Sequence, residues 1–166
     1  MTPDGRIDVC LHLQFKGKVV VAVVTGTWCP NCHDEAQYLV ELYARYHAQG
    51  LEVIALDFEE EDQLTTLTRV NAFIKKYKVP YPYLIAGVPA EMWDKVPQTV
   101  SLNTWPATFF IGKDGLVKSV HAGFAAPASG VYHTALKEEF TSTVERLLKE
   151  KGPEVSSTKS TEVAAR

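Results

Sequence analysis

Residues 17–46 read GKVVVAVVTGTWCPNCHDEAQYLVELYARY, and the order of residue types along them decides the fold. Lys18 to Thr25 is a Val-rich run with no polar residue between its ends. A strand apolar on both faces belongs in the middle of a sheet covered by helices on either side. Thr25-Gly26-Thr27-Trp28 then reads as a loop. From Pro30 to about Gln49 the pattern is helical, with Leu39, Leu42, Tyr43 and Tyr46 spaced to face a core. Pro30 suits the first helical turn, Asp34 and Glu35 suit its positive end, and Gly50 suits its stop. Cys29-Pro30-Asn31-Cys32 therefore lies where a buried strand hands over to a helix.

Downstream, Leu51 to Phe58 (LEVIALDF) predicts a second strand. The acidic run Glu59 to Asp62 feeds a predicted helix over 62–77 and is expected to support its N-terminus. Tyr81 to Ala86 predicts a third strand and Pro89 to Val100 a short helix. Ala107–Gly112 and Leu116–Phe124 predict two strands joined by Lys113-Asp114-Gly115, a hairpin signal. A last amphipathic helix is expected over 132–151, with Leu136, Phe140, Val144 and Leu147 on one face. Upstream, the turn signal Asp4-Gly5 and partial alternation to Phe15 predict a short edge strand or hairpin. The tail over 152–166 lacks periodicity and is expected to be disordered. The whole is an α/β chain with one domain over 1–151. Its sheet should be mainly parallel, with helices on both faces and a closing antiparallel pair.

Bulk properties narrow the function. A net charge of −3 and a pI near 5.9 leave no basic footprint for nucleic acid. The best apolar run, Val19 to Val24, falls far short of the roughly 18 residues of a membrane span. No signal peptide opens the chain. Three cysteines, Cys10, Cys29 and Cys32, are too few for a disulfide framework.

The chemistry concentrates at the C-x-x-C. Unpaired N–H groups and the dipole at a helix N-terminus stabilise a thiolate. Cysteine pKa values at such places fall from about 8.5 to ~3.5–7.5. Cys29, at the exposed helix end, is the expected nucleophile. Cys32, one turn inward, is expected to resolve the mixed disulfide. A zinc site needs four ligands, and no second pair is present. Cys-x-x-Cys followed by His33 also matches a haem c attachment spacing, but the surrounding residues build a buried strand. A purely structural disulfide is the remaining alternative. No metal or cofactor beyond the dithiol/disulfide itself is expected.

The stretch 17–46, together with PATFFIGKDGLV at 106–117, resembles the TlpA/ResA branch of thioredoxin-like proteins. The likeness runs over about residues 16–148. It implies a thioredoxin-like fold carrying a central insertion, which suits the long gap between Cys32 and Pro106. It also implies roles for particular residues. Cys29 and Cys32 match the nucleophile and the resolving cysteine. Trp28 matches a tryptophan shielding the disulfide, Pro30 lies between the cysteines, and Pro106 matches a cis-proline that would present the backbone of Trp105 to a peptide. Glu35 matches an acidic residue beside the cysteines that could move protons. The buried aspartate of thioredoxins would fall at Val23 and is missing. His121 and Gly123 match an H-x-G-F variant of the last strand. His33 reads either as a solvated helix residue or as added positive charge near the thiolate.

The implied activity is thiol–disulfide exchange with protein substrates, as a reductant kept reduced by a membrane electron donor. The implied setting is extracytoplasmic, and the chain is expected to be a monomer. Two other readings stay open. A peroxiredoxin-like peroxidase wants a Thr three residues before the reactive cysteine, where this chain has Gly26. A redox-inactive binding module would not need both cysteines.

Overall fold

The computed structural model describes residues 15–152. The expected N-terminal strand or hairpin up to Gln14, Cys10 and the tail beyond Gly152 lie outside them. In chain order the elements are β1 (Val19–Thr25), α1 (Pro30–Tyr46), β2 (Leu51–Phe58), α2 (Glu61–Thr66), α3 (Thr68–Tyr77), β3 (Tyr83–Gly87), α4 (Met92–Lys95), β4 (Ala107–Ile111), β5 (Val117–Ala122) and α5 (Val131–Lys149). The strands form one mixed sheet in the order β3-β2-β1-β4-β5. β1, β2 and β3 are parallel, and β4 runs antiparallel to both β1 and β5. This is the expected thioredoxin-like α/β architecture.

β1 shows why the Val-rich run has to be central. Val19, Val21 and Val23 point to one face and Val20, Ala22 and Val24 to the other, and all are buried. On the first face they meet Leu39, Leu42 and Tyr46 of α1 and Leu136, Phe140, Val144 and Leu147 of α5. On the second they meet Ile54, Leu56, Phe58, Phe109, Met92, Val96 and Phe15. The α5 stripe anticipated from spacing is the one that packs.

Several local expectations change. The single helix over 62–77 breaks at Leu67, which adopts φ 52°. Three threonines in Thr65-Thr66-Leu67-Thr68 are β-branched and weak helix formers, and α2 buries no residue that would hold it against the sheet. The Gln63 side chain accepts the Arg69 N–H at 2.9 Å and restarts the helix. The expected helix over 89–100 is three short pieces, because Pro89 and Pro97 each open a new turn. Tyr83–Gly87 replaces Tyr81–Ala86 as the third strand. The first turn of α1 holds no acidic residue; Asp34 and Glu35 fall in its second turn, and Glu35 is buried.

The segment between α3 and β4 is part of the long Cys32–Pro106 gap. It lends β3 to the sheet edge and returns the chain through Trp105-Pro106 to β4.

Phe140 is 1% exposed and meets the rings of Tyr38, Phe110, His121 and Phe124. Phe140→Ala is expected to cost about 3–5 kcal/mol, read as a lowered urea midpoint at an unchanged m-value.

Candidate active site

β1 ends at Thr25 and α1 begins at Pro30, leaving Cys29 as the helix N-cap with extended backbone (φ −94°, ψ 118°). The turn is closed by the Cys29 N–H on the Gly26 carbonyl at 3.0 Å, and the Cys32 N–H reaches the Cys29 carbonyl at 3.1 Å. Both thiols are free. Cys29 is only 5% exposed and Cys32 1%. The nucleophile is thus more enclosed than a helix end implied, because the tight turn and the thiol–thiol hydrogen bond hold it against the protein.

The two sulfurs are driven apart electrically. The Cys32 thiol donates to the Cys29 sulfur and, with the N–H groups of Cys32 and Asn31, brings Cys29 down to about 7 against the opposing effects of burial and of Asp34. Burial, first of all, and the same hydrogen bond push Cys32 far above an ordinary thiol, while the Thr25 hydroxyl opposes the shift. One sulfur is a thiolate near neutral pH and the other keeps its proton.

Glu35 lies one helical turn from Cys32 and is 1% exposed. The Thr108 hydroxyl donates to its Oε1 at 2.5 Å, and its Oε2 has no partner. Burial pushes Glu35 up to about 8, Thr108 opposes this, and the charge of Cys29 adds to it. Thr108 stands opposite Val23 in the β1–β4 register. The Glu35 carboxyl therefore fills the space above Val23 from the helix side, where a strand aspartate would have reached from the sheet. A small cavity lined by Cys32, Glu35, Thr25, Phe73, Tyr81 and Tyr83, among others, joins it to the resolving sulfur.

The other expected residues gather at the same end of the sheet. The Trp28 indole N–H donates to the Phe58 carbonyl at 2.9 Å. Its ring meets that of Trp105 edge to face at 5.1 Å, and Trp105 in turn meets Phe58 at 5.9 Å. Gly26 makes room: a Cβ there would collide with the Trp28 Nε1 and sit 2.9 Å from the Phe58 carbonyl. The Trp105–Pro106 peptide is cis, and the Pro106 carbonyl accepts the Gly123 N–H at 2.6 Å. Gly123 has φ 82°, a conformation open to glycine, with Thr104 close by. Pro30 is exposed. His121 packs on Phe140 in the core wall, away from the chemistry.

The parts of Glu59 and Asp57 were not read from the sequence, and that of His33 was read differently. Glu59, counted in the acidic run as helix support, is fully buried and accepts the Thr27 N–H at 2.6 Å. Asp57 is fully buried on β2, opposite Thr25, and takes the Tyr83 hydroxyl at 3.2 Å. Burial, then the neighbouring Glu59, push Asp57 up to about 8. His33 is neither solvated nor aimed at the thiolate: its Nε2 donates to the Thr27 carbonyl at 2.8 Å, and its Nδ1 meets the Tyr77 hydroxyl at 2.8 Å. The only hint was that LEVIALDFEE places acids at alternating positions at a strand's end. Among the described residues no group of three or more His, Cys, Asp or Glu side chains is placed to hold a metal ion.

Residues 7–120 match the sequence profile of the AhpC/TSA family. The chain belongs to the AhpC/TSA family. Within it, this member is 37% identical over 104 residues to the thiol-disulfide oxidoreductase ResA of Bacillus thuringiensis subsp. konkukian, covering 63% of this chain and 54% of that one. It is 31% identical over 110 residues to the ResA of Geobacillus thermodenitrificans, covering 66% and 58%. The chain thus spans about half the length of these curated relatives. A thiol:disulfide interchange protein from Chlorobium tepidum TLS superimposes with a TM-score of 0.63 at 21% identity, over 81% of this chain and 82% of that one. At such identity the likeness carries the fold, which is thioredoxin-like.

Two titrations follow for this AhpC/TSA member. The alkylation rate of Cys29 is expected to rise with a midpoint at about 7, with Cys32 unreactive across the same range, as mass-mapped iodoacetamide labelling would read. Glu35 and Asp57 are held protonated in the fold up to about 8, whereas unfolded carboxyls release their protons near 4. The folded state binds more protons in that window, so these acids make stability fall as pH rises through it. Glu35→Gln is expected to remove part of the fall in urea unfolding of the dithiol form, and Glu35→Gln with Asp57→Asn to remove more. A slope unchanged in both would show the acids ionised in the fold.

Proposed function

We propose that this chain is a thiol–disulfide oxidoreductase acting on protein disulfides, as a reductant. The observation that carries the reading is the pairing of a low-pKa Cys29 at a helix N-cap with a buried, protonated Cys32 one turn away. The Cys29 thiolate attacks one sulfur of a substrate disulfide. A mixed disulfide forms and the other substrate sulfur leaves as a thiolate. Cys32 gives up its proton and attacks the Cys29 sulfur, releasing the second substrate thiolate. Two electrons pass to the substrate, and Cys29 and Cys32 become a disulfide.

Glu35 is the group assigned to the Cys32 proton. It borders the same cavity, and at about 8 it is poised close to the working pH of a general acid or base. Trp28 and Trp105 form the aromatic wall beside Cys29, and the cis Trp105–Pro106 peptide offers an edge against which a substrate strand can lie. The likeness to ResA thiol-disulfide oxidoreductases supports protein substrates; an extracytoplasmic setting, a membrane electron donor and a monomeric state are part of the same proposal. Among the described residues no helix is long and apolar enough to cross a membrane. Against the peroxidase alternative, Arg69 is committed to Glu59 and Glu60.

Insulin reduction with dithiothreitol recycling tests the reading. Wild type is expected to precipitate insulin chains. Cys29→Ser is expected to lose the activity, and Cys32→Ser to accumulate a mixed disulfide visible by mass. Peroxide consumption without insulin reduction would sink it. Equilibration with dithiothreitol should place the couple nearer thioredoxin's roughly −270 mV than the roughly −120 mV of a strong oxidant.

A further inference from the structure

The loop before Cys29 is held in an unusual way. The Thr27 peptide units are gripped from both sides by side chains. The Thr27 N–H donates to Glu59 Oε1 at 2.6 Å, and the Thr27 carbonyl accepts from His33 Nε2 at 2.8 Å. A carbonyl only accepts, so Nε2 carries the proton. Each gripping side chain is itself braced. Arg69 donates to Glu59 Oε2 at 3.0 Å, and Tyr77 meets His33 Nδ1 at 2.8 Å.

Both braces stand on one helix. Arg69 is in the first turn of α3 and Tyr77 is its last residue. The residues flanking α3, Leu67 and Lys78, are the only non-glycine residues with positive φ among the described residues, each at 52°. Backbone held in a disfavoured region at both ends of one helix is a feature that clusters at functional sites. A fully buried carboxylate is also costly unless its oxygens are bonded, and Glu59 has both oxygens engaged, one on Thr27 and one on Arg69.

We infer that Glu59 and His33 are positioning residues for the nucleophile, clamping Thr27 so that the chain enters α1 with the Cys29 sulfur set at the helix N-terminus. The inference rests on the reading of Cys29 as the reactive sulfur. With the clamp closed, Cys29 stays within reach of the Asn31 and Cys32 N–H groups and the Cys32 thiol. With it open, the loop from Thr25 to Cys29 can rotate the sulfur away from them. The other titratable groups facing this region are Asp57 from β2, Tyr83 from β3, Glu60 on Arg69, and Asp34 and Glu35 from α1.

Four variants of the full chain separate positioning from charge and from simple stability: Glu59→Gln, Glu59→Ala, His33→Ala and Tyr77→Phe. The readout is the pH midpoint of Cys29 alkylation, alongside Tm. Glu59→Gln keeps an acceptor for the Thr27 N–H but turns an amide N–H toward Arg69 and loses that brace, so its midpoint should rise less than that of Glu59→Ala, if at all. Glu59→Ala and His33→Ala should each raise the midpoint by about one pH unit, roughly a tenfold loss of thiolate below it. Tyr77→Phe removes a single hydroxyl and should raise it less, which keeps the test open if an alanine variant fails to fold. Unchanged midpoints with a lowered Tm would reduce the clamp to a structural role and overturn the inference. So would a fall of the Glu59→Gln midpoint, which marks a field effect of the carboxylate, or a rise as large as that of Glu59→Ala, which shows that the retained acceptor holds nothing. Alkylation reads Cys29 without any turnover. Wild-type protein that labels as expected yet reduces no insulin would defeat the oxidoreductase reading and leave the clamp standing.

Discussion

A helix that starts against the end of a buried strand leaves its first N–H groups without partners inside the helix. In this chain that end is occupied by Cys29, and most of the surrounding structure serves to keep it there. β1 is buried on both faces and cannot shift without exposing six apolar side chains. α1 is pinned to the sheet by Leu39, Leu42 and Tyr46. Between these two fixed bodies only a short loop is free to choose a path, and Glu59, His33 and the Trp28 indole each hold a part of it.

The same geometry separates the two thiols. They belong to one helical turn, yet one sits at the positive helix end and the other is buried against the end of β1. Hydrogen bonds favour the anion at Cys29, whereas burial favours the neutral form at Cys32. Behind Cys32 lies a region unusually rich in acid for a protein interior. Glu35, Asp57 and Glu59 are all buried within it, with Arg69 paired to Glu59. A like charge beside a desolvated carboxyl keeps one proton in place, which is the situation of Asp57 next to Glu59. Asp57, near the end of β2, and Glu59, just after it, thus lie beside Glu35 of α1 in one buried acidic region.

The aromatic residues have a different part. Trp28, Trp105 and Phe58 meet edge to face above the sheet end, joining the loop before Cys29 to the loop before β4. The Trp105–Pro106 peptide that follows in the chain is cis. Gly26 is required for the aromatic contact, since any side chain there would collide with the Trp28 ring.

Local patterns are visible in a sequence because they depend on neighbours along the chain. The double-faced β1, the stripe on α5, the hairpin at Lys113-Asp114-Gly115 and the C-x-x-C at a strand-to-helix junction are of this kind, and all were readable. Helix breaks at Leu67, Pro89 and Pro97 were underestimated, because the missing packing of α2 and the restart at each proline outweighed a periodicity that seemed continuous. What residue order alone left undetermined were the partners of polar side chains. Glu59 in the row Glu59 to Asp62 looks like its exposed neighbours, and only the closeness of β2's end to the Thr27 loop makes it a buried acceptor. Glu35 was legible as an acid beside Cys32, but its burial over Val23 and its bond from Thr108, 73 residues away, exist only once β4 lies beside β1. Spacing along the chain determined which residues could do the chemistry; long-range contacts decided their protonation and their aim, because desolvation and hydrogen bonding are properties of a place in the fold.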